Sequence, residues 1–187
     1  MAEAATKRAT YDDLYQIPEN MTGEIIGGEL LLTPRPSFEH AHAESVLGSE
    51  LLPPYEFGRG GGPGGWIILL EPEIWLGDDV LVPDLAAWRR VRLTGVPKTE
   101  WKALAPDWVC EILSASTVRT DKVRKMPIYA ESAVPHLWLV DPAVRTLDAF
   151  RLESGRWTLL ASFAENDSVQ AEPFQEIRIE LGNLWLE

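Results

Sequence analysis

Residues 106–117, PDWVCEILSAST, enclose an apolar run of Trp108, Val109, Cys110, Ile112 and Leu113 between Pro-Asp and Ser-Ala-Ser-Thr. A short apolar run without a polar face, fenced by turn formers, predicts a strand covered on both faces. The chain must therefore build a sheet with material packed above and below it. Glu111 stands in the middle of that run. An ionised, unpaired carboxylate is expensive to bury, so another group must compensate it.

The rest of the chain alternates short strands with few helices. Residues 10–18 predict a short helix capped by Thr10 and stopped by Pro18. Glu24 to Thr33 predicts a hairpin turning at Gly27-Gly28, and Ser37 caps a helix that runs to about Leu52, with Ala43, Val46, Leu47 and Leu51 as its apolar stripe and Pro53-Pro54 as its stop. The glycine-rich loop 57–66 leads into the strand Trp66–Leu70, not into a helix, and lacks a terminal Gly-Lys-Ser/Thr, which excludes a phosphate-cradling P-loop and leaves a connector or lid. A second hairpin pairs Glu73–Leu76 with Val80–Trp88 across Gly77-Asp78-Asp79. Ser114 to Thr117 offer caps for a helix that Pro127 should kink or break, and 136–163 reads as an antiparallel meander. The final ELGNLW docks on the core. The sum is α/β in the broad sense, a mixed sheet flanked by helices.

At 187 residues the expectation is one domain, 1–187, with one core and residues 1–9 as a flexible tail. The apolar runs fall far short of the roughly 20 residues a membrane helix needs. The N-terminal segment lacks an apolar signal core, which points to a cytoplasmic protein. With a single cysteine, Cys110, there is no internal disulfide and no cysteine metal cage. The net charge of -12 counts against long-range attraction to nucleic acid, although Arg89, Arg90 and Arg92, and Arg119, Lys122, Arg124 and Lys125, form two local basic clusters.

A second carboxylate bears on Glu111. Asp84 lies in the apolar VLVPDLAAW directly after Pro83, which has no amide hydrogen for a ladder. If the 80–88 and 107–113 strands are neighbours, their acids converge on one metal ion, and two carboxylates with substrate oxygens and water are how Mg²⁺ is usually held. Asp121, Lys125 and Tyr129 follow at i, i+4, i+8, so Lys125 could reach back toward Glu111. Two acids, a divalent cation and a lysine are the parts of phosphodiester hydrolysis. The structural alternatives are a strand-end turn residue at Asp84 and a metal-free buried ion pair at Glu111.

The succession GEIIGGEL, PRPSFEH, GPGGW, LVPDLAAW, PDWVCEILSAST, DKVRKMPIYA and VPHLWLVDP resembles, from about residue 10 to the C-terminus, the Uma-type endonuclease family, a branch of the PD-(D/E)XK restriction-endonuclease-like superfamily. The resemblance implies a mixed sheet flanked by helices and a DNA-cleaving site dependent on Mg²⁺ (or Mn²⁺), with Asp84 as the acid of the Pro-Asp element and Glu111 as the second acid. The superfamily's lysine usually stands two residues after that acid, where this chain has Leu113. Similar proteins supply it from the following helix, which gives the role to Lys125, with Lys122 as the competing choice. Glu29, His40 and Asp121 are candidate neighbours in the cleft. A structural pairing of His40 with Glu44, and an exposed Asp121–Lys125 salt bridge, are the plainer readings. A homodimer would let two sites address two DNA strands, with one or two surface tryptophans of the eight at its interface. The alternative function is a catalytically silent nuclease-like domain that binds nucleic acid or a partner protein.

Overall fold

The computed structural model describes residues 8–186. The expected N-terminal tail, 1–9, lies largely outside them. A short helix, α1 (Tyr11–Leu14), leads into a hairpin of β1 (Met21–Ile26) and β2 (Glu29–Pro34). Gly27 and Gly28 make its turn with φ of 62° and 79°, the left-handed pair that a two-residue hairpin requires and a side chain would resist. Helix α2 (Phe38–Leu51) begins where the Ser37 hydroxyl accepts the His40 amide hydrogen. It buries His40, Ala43, Glu44, Leu47, Gly48 and Leu51 on one side. Pro53 and Pro54 do not stop the coil outright, because Leu52–Glu56 continues as one wider turn.

β3 (Trp66–Leu70) follows the glycine-rich loop, and β4 (Ile74–Leu76) turns back on β5 (Asp79–Leu81). The long strand expected over 80–88 is divided. β5 ends at Leu81, and β6 (Leu85–Arg89) starts after Asp84 in a different sheet. Pro83 sits at the break, where a ladder would need the amide hydrogen it lacks. After a helical turn, α3 (Arg90–Leu93), and the connector comes β7 (Trp108–Ile112), the strand read first in the sequence.

Helix α4 (Val118–Thr120), a wide turn Asp121–Lys125 and α5 (Met126–Glu131) form one nearly continuous coil. Pro127 does not break it. The wide turn, closed by the Met126 amide on the Asp121 carbonyl, places the proline in the first turn of α5, where a missing N–H costs little. The chain then runs through β8 (His136–Asp141), β9 (Thr146–Glu153) and β10 (Arg156–Ala164), the expected meander, and closes with the small pair β11 (Ser168–Val169) and β12 (Ile179–Glu180).

Six strands form the main sheet in the order β10-β9-β8-β7-β6-β3, with β7 and β8 parallel and the other pairs antiparallel. A second, four-stranded sheet has the order β2-β1-β5-β4. Strand periodicity decides what each face of β7 meets. Trp108, Cys110 and Ile112 point into a cluster with α2, Trp66, Trp138, Phe174 and the C-terminal residues Leu181, Leu184 and Trp185. Val109 and Leu113 join the other cluster, with Tyr129, Ile26, Ile74 and Leu81. The sheet thus has packed layers on both sides, and the C-terminal segment docks as expected. Glu111 shares the face of Val109, where the small sheet and the α4–α5 coil meet it.

Candidate functional site

Four elements converge on Glu111 and Asp84. Leu85 of β6 is paired with Cys110 of β7, so Asp84, just before β6, and Glu111 of β7 stand opposite each other one position beyond that pair. The backbone beyond that pair is where the ladder fails. Instead of a carbonyl oxygen, the Asp84 carboxylate takes over: its Oδ2 accepts the Ile112 amide hydrogen at 2.5 Å. Its Oδ1 lies 2.8 Å from Nε2 of His40, which α2 delivers from the opposite layer. Proline at 83 therefore does two things, ending β5 and freeing a strand amide for a side chain.

Glu111 is 2 % exposed, and each of its oxygens accepts a hydrogen bond. The Tyr129 hydroxyl donates to its Oε1 at 2.5 Å, and the Lys125 ammonium donates to Oε2 at 3.2 Å. Lys125 also lies 3.0 Å from Glu24 and 3.5 Å from Asp121. The wide turn holds Asp121 and Lys125 inward together, both buried, so their pair is not the exposed bridge that spacing alone suggested. Lys122, the competing lysine, is exposed. Tyr129, one turn beyond Lys125, is the second donor to Glu111.

The charges are unbalanced. A cleft of about 250 Å³ is lined by Glu24, Glu71, Asp84, Glu111 and Asp121, with only Arg35, His40 and Lys125 as counter-charges. Burial pushes the Glu111 carboxyl well above the ordinary range; Lys125 pulls it down, while Asp121, Asp84 and Glu24 add to the rise. Burial would lower the Lys125 ammonium, but Glu111, Glu24 and Asp121 outweigh it and hold the proton firmly. Asp121 is raised by burial, against the pull of Lys125. For His40, burial opposes protonation, yet Asp84, with Glu44 and Asp121, wins and raises it. Burial also raises the Cys110 thiol well above its usual value, with Asp84 and Glu111 adding to the effect, as befits an inert core residue.

Of the residues singled out in the sequence, Asp84, Glu111, Lys125, His40 and Asp121 line this cleft together. Glu29 does not: it is an exposed β2 residue paired with Arg124 at 2.9 Å. The expected His40–Glu44 pair is also absent, because His40 turns to Asp84. Sequence reasoning missed Glu24 as a member of the cleft. Glu24 is buried, and its Oε1 accepts the Val82 amide hydrogen at 2.8 Å besides facing Lys125. Its position between Gly23 and Ile25 in an apolar strand carried the same signal as Glu111, but a hairpin strand is normally free to turn a carboxylate outward.

Hard oxygen donors are the set a Mg²⁺-like cation takes. Among the described residues no three His, Cys, Asp or Glu side chains are gathered to hold an ion unaided. Two carboxylates remain the protein's own contribution, completed by substrate and water. All four of their oxygens already accept one hydrogen bond, and each keeps a second lone pair, so the donor set fits.

The architecture is a mixed main sheet flanked by helices, with Asp84 and Glu111 brought into one cleft with Lys125 from the coil that follows β7. Residues 8–182 match the Uma2 family, described as "Putative restriction endonuclease", and the chain belongs to that family. A solved structure similar to it is the "putative nuclease belonging to DUF820" from Anabaena variabilis, 24% identical, with a TM-score of 0.68 over 94% of this chain and 97% of that one. No curated protein matches the chain. Among the described residues no helix is long and apolar enough to cross a membrane.

Proposed function

We propose that the protein is a metal-dependent endonuclease that hydrolyses DNA phosphodiester bonds, with Asp84 and Glu111 as ligands of Mg²⁺ or Mn²⁺ and Lys125 as the catalytic cation. The observation that carries this reading is the meeting of Asp84 and Glu111 in one cleft with the Lys125 ammonium 3.2 Å from Glu111. When bound, a divalent cation polarises the phosphoryl oxygen and lowers the pKa of the attacking water. The chain's own residues arrange everything else. His40 and the Ile112 amide fix both oxygens of Asp84, and Tyr129 and Lys125 fix those of Glu111, so neither carboxylate must be ordered when substrate arrives. The Lys125 ammonium, kept protonated by three acids, stabilises charge that grows on the phosphoryl oxygens or orients the water.

Cleavage of plasmid DNA tests the proposal. Wild-type protein is expected to cut with Mg²⁺ or Mn²⁺ and to stop on adding chelator. Glu111→Gln, which keeps the shape and a hydrogen-bonding group, is expected to lose at least about 100-fold in rate with its circular dichroism unchanged. Equal cutting by that variant would reject the assignment of Glu111. A wild-type protein that binds nucleic acid in the presence of metal but never cuts it would instead support a silent binding domain.

A further inference from the structure

Arg35 stands apart from the other cations of the cleft. It lines the same cavity as Asp84 and Glu111, is exposed, and has no ion pair or hydrogen bond among the described residues. Lys125 is already ion-paired with three acids and His40 with Asp84, whereas Arg35 is the lining cation without an ion pair among the described residues. Its backbone is pre-set. Pro34 and Pro36 fix φ on both sides, and the residue before a proline is held extended, so little backbone entropy is lost when the side chain engages.

Three residues further on, Phe38 opens helix α2 with its side chain 78 % exposed. Ser37 between them caps that helix, so Arg35 and Phe38 stand on the short connection from the end of β2 to the first turn of α2. An exposed guanidinium that can fork onto a phosphate, three residues before an exposed aromatic side chain, is a pairing that matches one nucleotide: phosphate on the arginine, base on the ring.

We propose that Arg35 and Phe38 form a lip that grips a nucleotide with an unstacked base beside the scissile phosphate, which directs the site toward single-stranded or frayed nucleic acid. This rests on the nuclease reading and narrows its substrate. A base inside an intact duplex offers no free face to Phe38, whereas every single-stranded base does.

Fluorescence anisotropy with a labelled single-stranded oligonucleotide and a hairpin duplex, in Ca²⁺ and over a range of salt, measures both contacts. Phe38→Ala is expected to weaken single-strand binding by about tenfold and to leave duplex binding unchanged. Arg35→Ala is expected to weaken both and to reduce the slope of log K against log salt by about one contact's worth, with Arg35→Lys restoring the slope. Both positions are exposed, so these changes do not threaten the fold. Affinities and slopes equal to wild type would overturn the lip. If wild type cuts DNA while both variants bind as it does, the lip alone fails; if wild type neither binds nor cuts, the nuclease reading falls with it.

Discussion

Glu44 carries the clearest residue-scale consequence of packing so many acids together. It is 8 % exposed, and among the described residues it has no hydrogen bond or ion pair. Burial, then Asp84 and Glu71, push its carboxyl up to about 7, against a small pull from His40. The sign follows from proton binding. Between the ordinary value of 4.5 and about 7 the folded protein keeps a proton that the unfolded chain releases, so this stabilisation is full below 4.5 and is lost as pH rises through 7. A displacement of that size corresponds to at most about 3 kcal/mol. Glu44→Gln is therefore expected to raise stability in urea unfolding at pH 8, with the advantage over wild type fading toward pH 4.5; an equal difference at both pH values would contradict the buried-charge account. Glu44 was not legible as strained in the sequence, because an i, i+4 neighbour, His40, offered it a partner that the fold gives to Asp84.

At the scale of elements, the site depends on how strands and helices end. Asp84 enters the cleft because Pro83 interrupts the ladder, and this much was readable from a proline inside an apolar run. That the same proline also hands the chain from one sheet to the other was not readable, since the apolar residues on its two sides look like one strand. Pro127 misleads in the opposite direction. A proline late in a helical pattern reads as a break, but the wide turn Asp121–Lys125 absorbs it and keeps Lys125 and Tyr129 on Glu111. The start of α2 was legible from Ser37 alone. That cap holds the turn that carries His40 to Asp84, so Ser37→Ala is expected to lower unfolding free energy by about 1 kcal/mol and to slow cleavage, measured by urea denaturation alongside the plasmid assay. Unchanged stability would show that the cap is not holding the turn.

For the whole molecule, alternation and turn chemistry were enough to anticipate a mixed sheet between packed layers, while the division into six- and four-stranded sheets depends on pairings between residues distant in sequence. The tryptophans illustrate the difference between composition and placement. All eight lie among the described residues, five buried and three half-buried, and none is fully exposed. Their number instead reflects a wide core, in which Trp66, Trp108 and Trp138 pack around Phe174. The net charge of -12 has a local counterpart in the acid-rich cleft, which gains most from a cation delivered from solution. Calorimetric titration with Mn²⁺ addresses that directly. Wild-type protein is expected to show a saturable binding heat that Asp84→Asn loses while its fold remains intact; the same heat in both proteins, or none in the wild type at millimolar metal, would contradict a cation shared by Asp84 and Glu111.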